Sequence, residues 1–376
     1  MRTYLLVALI SSLLAVAQRG LFLPCPYYAA IGLIPAAKVP HPTPLEGVYR
    51  TNHLLDKAEK YWKGALRAET VAVSPNGAVF LPVEGGSILA SSLEDPSQLS
   101  LLARTGGRAI GLVMHPDGYL VVCDAARGLL AVDLPSGIVR LLTNQVTEGN
   151  LTQAEAYIGF ADDAVVGSDG RIYFSDASLL APPRLSDGSF DVVEASKAEL
   201  LAGRPSGRVL VYDPRDRSTR VVASGIYFAN GVALSKDESF LVVAETFGCR
   251  LLRVFLEGLP GFPDGVSATP DGQSFWVAIV TTPTKAALRL VQARGTLSRA
   301  LRWLCSRLPP QFQPQMQPYG LVVQVGADGT PLRSLHDPSG QTCRSITSAT
   351  QIGNKLFLGN LGTSWVCAVD LGGLPA

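Results

Sequence analysis

The chain predicts an all-β protein, a six-bladed β-propeller, on three observations. Charged residues make up only 17% of its 376 residues, below the rough quarter of an average soluble domain, while 37 Gly and 26 Pro supply many turns. Six turn signals recur along it: Ser74-Pro75-Asn76-Gly77, His115-Pro116-Asp117-Gly118, Gly167-Ser168-Asp169-Gly170, Ser235-Lys236-Asp237-Glu238, Thr269-Pro270-Asp271-Gly272 and Gly353-Asn354. Each precedes a short apolar run (AVFLPV, YLVVCD, RIYFSD, SFLVVAE, SFWVAI, KLFLGN), the pattern of a β-hairpin repeated six times. The turns stand 34 to 83 residues apart, against about 40 to 50 for a common blade, so several blades carry insertions. A β-sandwich, the alternative, would leave the further flanking strands GRVLVYDP and RVVASG without a repeat to belong to.

From the N-terminus, Met1 and Arg2 precede an apolar run from Tyr4 to Ala17 that ends Ala15-Val16-Ala17. Fourteen residues are short for a span needing about 20 apolar positions, and a small-x-small ending suits signal-peptidase cleavage. The second apolar stretch, Leu21 to Pro35, keeps an uncleaved signal-anchor open. The chain therefore divides into an N-terminal hydrophobic helix at 1–20 (signal peptide or signal-anchor), an apolar and Pro-rich linker at 21–52, and the propeller at 53–376. Either form of the leader directs the body into the secretory pathway, to the endoplasmic reticulum lumen or membrane or outside the cell. It also allows membrane contact through the N-terminal segment. Asn150-Leu151-Thr152 is a glycosylation sequon.

His53 to Trp62 (HLLDKAEKYW) reads as a short amphipathic helix opening the domain. The longest interval between turns holds a basic amphipathic stretch, Leu288 to Leu308, expected as a helical insertion near 285–310 that packs on the propeller's side or touches a membrane. The six cysteines form no CxxC pair and are too sparse for a disulfide scaffold; Cys123 and Cys367, each inside an apolar run, read as buried small hydrophobes.

Composition and motifs also exclude. With 32 Lys+Arg against 31 Asp+Glu the net charge is +1, which gives no basic field for nucleic acid. There is no GxSxG elbow, P-loop or GxGxxG. The four histidines suggest no triad, and His115 and His336 are expected as exposed turn residues.

The repeat itself carries chemistry. Seven residues before the Asp or Asn of four turns stand Glu69, Asp162, Asn230 and Asp264, while the same step in the other two blades reaches Ile110 and Thr347. Each of the four precedes an apolar strand that would line the central channel. Three carboxylates and an amide converging on one axis repel one another unless a cation neutralises them, and an all-oxygen set without His or Cys suits Ca2+. The plainer alternative makes Asn230-Gly231 and Asp264-Gly265 ordinary turn dipeptides. A second series, Glu84, Asp124, Asp176 and Glu245, ends the strands after the turns and reads as structural, accepting backbone N–H groups.

The ordered segments GRAIGLVMHPDGYLVVCDAARGLLAVD, FADDAVVGSDGRIYFSDAS, GRVLVYDP, FANGVALSKDESFLVVAET and LPGFPDG, with RSLHDPSG and KLFLGN, resemble the strictosidine synthase-like family, in its adipocyte plasma membrane-associated protein branch. The resemblance covers roughly residues 44 to 372 and implies a six-bladed propeller. Related calcium-dependent lactonases and arylesterases place a Glu, an Asn and an Asp on the channel metal, which maps onto Glu69, Asn230 and Asp264. Asp162 replaces the Asn of an FxND motif, and the GPE motif reads Arg67-Ala68-Glu69 here. The glutamate used by true strictosidine synthase falls on Ser348, which cannot serve as acid or base.

Two functions follow as expectations. One is a metal-dependent hydrolase of small lactone or aryl ester substrates, with Glu69, Asn230, Asp264 and Asp162 on the metal and Asp162 also catalytic. The other is a non-catalytic, membrane-associated propeller that binds a partner.

Overall fold

A computed structural model of the chain describes residues 42–374 except 135, 204, 253–255 and 285–316. Its strands form six four-stranded antiparallel sheets, the six blades of a propeller. The innermost strands are Ala72–Val73, Ala109–Met114, Ala161–Val166, Ala229–Leu234, Phe262–Ala268 and Ile346–Ile352, in blades 1 to 6. Each predicted turn joins such a strand to the second strand of its blade, Ala78–Val83, Leu120–Asp124, Ile172–Asp176, Leu241–Glu245, Ser274–Thr281 or Lys355–Asn360. Those second strands are buried along nearly their whole length because apolar rows from neighbouring blades close on them. Val121, Ile172, Phe174 and Leu210 form one such row between blades 2 and 3.

The ring closes through the N-terminal part of the domain. Glu59–Tyr61 is a strand, not part of a helix, and it supplies the outer edge of blade 6 with Glu59 opposite Ala368 and Tyr61 opposite Val366. A free edge offers a row of unpaired N–H and C=O groups, and the amphipathic pattern of His53–Trp62 yields to that pairing. Tyr61 and Trp62 then both pack on Phe357, with ring centroids 5.4 and 5.2 Å away. On the inner side Thr347 and Thr350 of blade 6 donate to the Glu69 and Val71 carbonyls of blade 1.

Residues 42–52 lie across blades 4 and 5. The Thr43 N–H donates to the Gly258 carbonyl, the Asn52 amide to the Ser334 carbonyl, and the His336 N–H to Asn52 Oδ1. That cover buries His336, against the expectation of an exposed turn residue. Its ring lies 2.8 Å from both the Tyr319 hydroxyl and Ser334 Oγ, and burial pushes its pKa down to about 4. His115 is also buried, stacked on Tyr119 and reaching the Gly170 carbonyl of the next blade.

Two helices occupy the described insertions, α1 (Gln153–Ala156) and α2 (Val192–Ala202). In α1, Thr152 and Glu155 form a capping box, and the sequon residue Asn150 just before it is exposed. Asp191 caps the start of α2 and Gly203, at φ 66°, ends it. Cys367 is buried but bonded to Cys343, with Cα atoms 6.1 Å apart, so it is not the free hydrophobe expected; Cys123 is buried and free. The N-terminal hydrophobic helix and the helical insertion near 285–310 lie outside the described residues. Among the described residues no helix is long and apolar enough to cross a membrane.

Candidate functional site

The four predicted oxygen-bearing residues come together where the inner strands begin. In blades 3, 4 and 5 the pairing of first and second strands slips between Ala161 and Ala164, between Ala229 and Val232, and between Pro263 and Val266. Asp162, Asn230 and Asp264 sit inside these slips, and a bulge of this kind re-aims a side chain out of the pleat. Asn230-Gly231 and Asp264-Gly265 are therefore strand residues, not turns. Their glycines serve close packing: a Cβ on Gly231 would stand 2.2 Å from the Val266 nitrogen, and one on Gly265 2.4 Å from the Thr347 carbonyl oxygen. The backbones of neighbouring blades meet at this level and bring their side chains to one axis.

Two cavities share this ring as their partition, since Glu69, Asp162, Asn230 and Asp264 line both. One, about 340 Å³, is the axial channel between the inner strands, bordered by Val71, Leu112, Val165, Leu234 and Ser348. The other, about 120 Å³, is walled by Phe160, Phe228, Phe247 and Phe262, with Lys197 and Leu200 of α2. The four phenylalanines touch in sequence, their ring centroids 5.1 to 5.4 Å apart.

The ring's electrostatics are strained. Burial first, then the charges of Asp264, Glu69 and Asp163, hold the Asp162 carboxyl well above its usual range. Burial also raises Asp264 well above that range, reinforced by Glu69 and Asp163; hydrogen bonds from the Asn230 side chain and the Gly265 backbone only partly oppose this. Asp163, a residue the seven-residue step misses, is pushed up to about 7 by burial, although the N–H groups of Val232 and Ala164 donate to it. Asn230 is buried, and its Oδ1 has no hydrogen-bond partner. An orphaned amide oxygen among carboxylates that repel one another is a donor set that fits a hard cation.

Glu69 is engaged differently. Arg108, buried beside it, donates a guanidinium N–H to Glu69 Oε1, and this pairing opposes the upward push that burial exerts on the Glu69 carboxyl. Among the described residues no three His, Cys, Asp or Glu side chains are gathered into a ready-made metal cluster. Arg108 escaped the sequence because it stands two residues before Ile110, the blade-2 position at which the seven-residue step finds no oxygen.

Asp124, Asp176 and Glu245 of the second series accept backbone N–H groups as expected, and Glu84 does not. Asp124 Oδ1 accepts the N–H groups of Arg108 and Ala126 at 3.0 Å, Asp176 accepts Phe160 N–H and Arg208 Nε, each at 2.8 Å, and Glu245 accepts Tyr227 N–H at 2.8 Å and pairs with Arg250. Glu84 pairs with Arg67 at 2.6 Å on the surface.

A strictosidine synthase family model matches residues 162–259. Strictosidine synthase-like 6 of Arabidopsis thaliana is 32% identical over 77% of this chain and 73% of its own length. Adipocyte plasma membrane-associated protein of Rattus norvegicus is 30% identical over 86% of this chain and 89% of its own. Among solved structures, a gluconolactonase from Xanthomonas campestris superposes with a TM-score of 0.54 at 18% identity, over 90% of this chain and 96% of that one. A regucalcin from Agrobacterium tumefaciens, described as calcium-binding, gives 0.53 at 13% identity over 83% and 93%. At such identities the structural likeness establishes the propeller fold and no more.

Proposed function

This chain belongs to the strictosidine synthase-like family, and from that premise we propose that it is a metal-dependent hydrolase of lactone or aryl ester substrates. The observation that carries the reading is the unpartnered Asn230 oxygen, buried within a ring of repelling carboxylates that partitions two cavities. Asn230, Asp264, Asp162 and Glu69 would hold calcium, a cation that the regucalcin sharing this fold is described as binding. When bound, the ion supplies a positive charge that polarises an ester carbonyl and stabilises its developing oxyanion.

The chain's own residues do the rest. The phenylalanine wall binds the apolar part of the substrate and, with α2 above it, keeps bulk water from the reacting carbonyl. Asp162 borders both cavities, which places its carboxylate to take a proton from an attacking water. Strictosidine synthesis is not the reaction proposed. The position of that family's glutamate is Ser348, a buried hydroxyl on the channel wall with no acid–base capacity near neutral pH.

Secretory localisation and glycosylation at Asn150 belong to the same proposal. The Cys343–Cys367 disulfide supports an oxidising compartment, and the exposed sequon supports glycan attachment. Phenyl acetate and a simple lactone, assayed with calcium and with chelator, test the activity. Hydrolysis should fall about 100-fold or more on chelation and in both Asn230→Ala and Asp264→Ala; full activity in both variants overturns the proposal. A second reading, a membrane-associated propeller that binds a partner without catalysis, is favoured by the engagement of Glu69 with Arg108. It predicts no hydrolysis of either substrate by correctly folded protein.

A further inference from the structure

We propose that Arg108 is the resident counter-ion of the axial ring, holding Glu69 back from a divalent cation and so setting how tightly the ring takes one. The inference rests on reading the ring as a cation site and concerns its regulation. Blade 2 gives no oxygen to the ring, since its equivalent position is Ile110; it gives a fixed positive charge instead. Arg108 stands immediately before the inner strand Ala109–Met114, and its side chain is 3% exposed against 12% for Glu69.

The placement is built, not incidental. The Arg108 backbone N–H donates to Asp124 Oδ1 at 3.0 Å, and its carbonyl accepts the Ala125 N–H at 2.9 Å. At the head of the side chain, Nη1 donates to the Ala109 carbonyl at 2.7 Å and Nη2 to the Arg67 carbonyl at 3.4 Å as well as to Glu69 Oε1. Thus one carboxylate of the structural series fixes the backbone of the residue that neutralises a carboxylate of the ring. A guanidinium does not give up its proton in a protein, so this charge is permanent.

Two consequences oppose each other. In the metal-free protein Arg108 offsets the charge of Glu69, which otherwise adds to the repulsion felt by Asp162 and Asp264 in the same cavity. A divalent cation seated there must compete with Arg108 for Glu69 and is repelled by it across a medium of low dielectric constant. Removing Arg108 should therefore weaken the metal-free protein and tighten its hold on calcium, whereas a purely structural ion pair would show only the first effect.

Calcium titration of the full chain by calorimetry, together with melting in calcium and in chelator, separates these cases. Arg108→Met is expected to bind calcium about tenfold or more tightly than the unaltered chain and to gain more melting temperature from it. Arg108→Lys, which keeps the charge, should remain within about threefold of the unaltered chain. Should the methionine variant fail to fold, Arg108→Gln, whose amide can still donate to the Ala109 or Arg67 carbonyl, takes its place with the same expectation. Calcium binding with equal affinity in the unaltered and neutral variants overturns the role of Arg108 while leaving the cation site standing. Absence of calcium binding in both overturns the cation site and this inference together.

Discussion

Asp162 and Asp176 belong to the same hairpin of blade 3, where Asp176 pairs across the sheet with Ala161, yet their surroundings differ in kind. Asp176 accepts a backbone N–H from Phe160 and the guanidinium of Arg208, so burial pushes its carboxyl up while three kinds of bond or charge pull it down. Asp162, one strand inward, meets burial with three further acids around it. The contrast repeats in blade 4, where Glu245 accepts from Tyr227 and pairs with Arg250 while Asn230 leaves an oxygen orphaned. A buried polar group without its partners lowers stability and persists where something else requires it. Asp124, Asp176 and Glu245 pin backbone segments in place, whereas the inner carboxylates hold an unbalanced charge that a ligand can complete.

Removing a member of the pinned series should have the largest effect. Asp176→Ala leaves the Arg208 guanidinium buried and uncompensated and should cost about 3–5 kcal/mol in chemical denaturation. A loss below about 1 kcal/mol would erase the distinction between the series. The smallest effect belongs to Glu84, which occupies the same repeat position but lies on the surface with Arg67, their side chains 37% and 46% exposed. Glu84→Ala should cost less than about 1 kcal/mol by the same measurement. A larger loss would show that position in the repeat, rather than burial, decides what these carboxylates do.

The spacing of turns made both series visible in advance, because a propeller repeats its hairpin and the repeat carries its side chains with it. What local pattern could not supply was contact between distant parts of the chain. Arg108 and Glu69 are 39 residues apart, and nothing in GRAI announces a guanidinium turned toward the axis. Glu59–Tyr61 reads as helix in isolation and becomes a strand only because the edge of Val366–Asp370 is free to pair. The glycines after Asn230 and Asp264 carry the signature of turns, yet they are required by a neighbouring backbone that no short window contains. By contrast α2 had usable signals, Asp191 at its start and Gly203 at its end, with Ala195 and Ala198 on the buried side.

The melting temperature of the full chain in excess calcium and in chelator, for the unaltered protein and Asp264→Asn, bears most directly on the difference between the two series. If the inner ring is a cation site, saturating calcium at about 100 times its dissociation constant should stabilise the unaltered protein by about 2.7 kcal/mol. Asp264→Asn, relieved of one repelling charge, should melt at or above the unaltered protein in chelator and respond little to calcium. An unaltered protein indifferent to calcium, with Asp264→Asn melting well below it in chelator, would make the inner ring a second structural series and contradict the assignment.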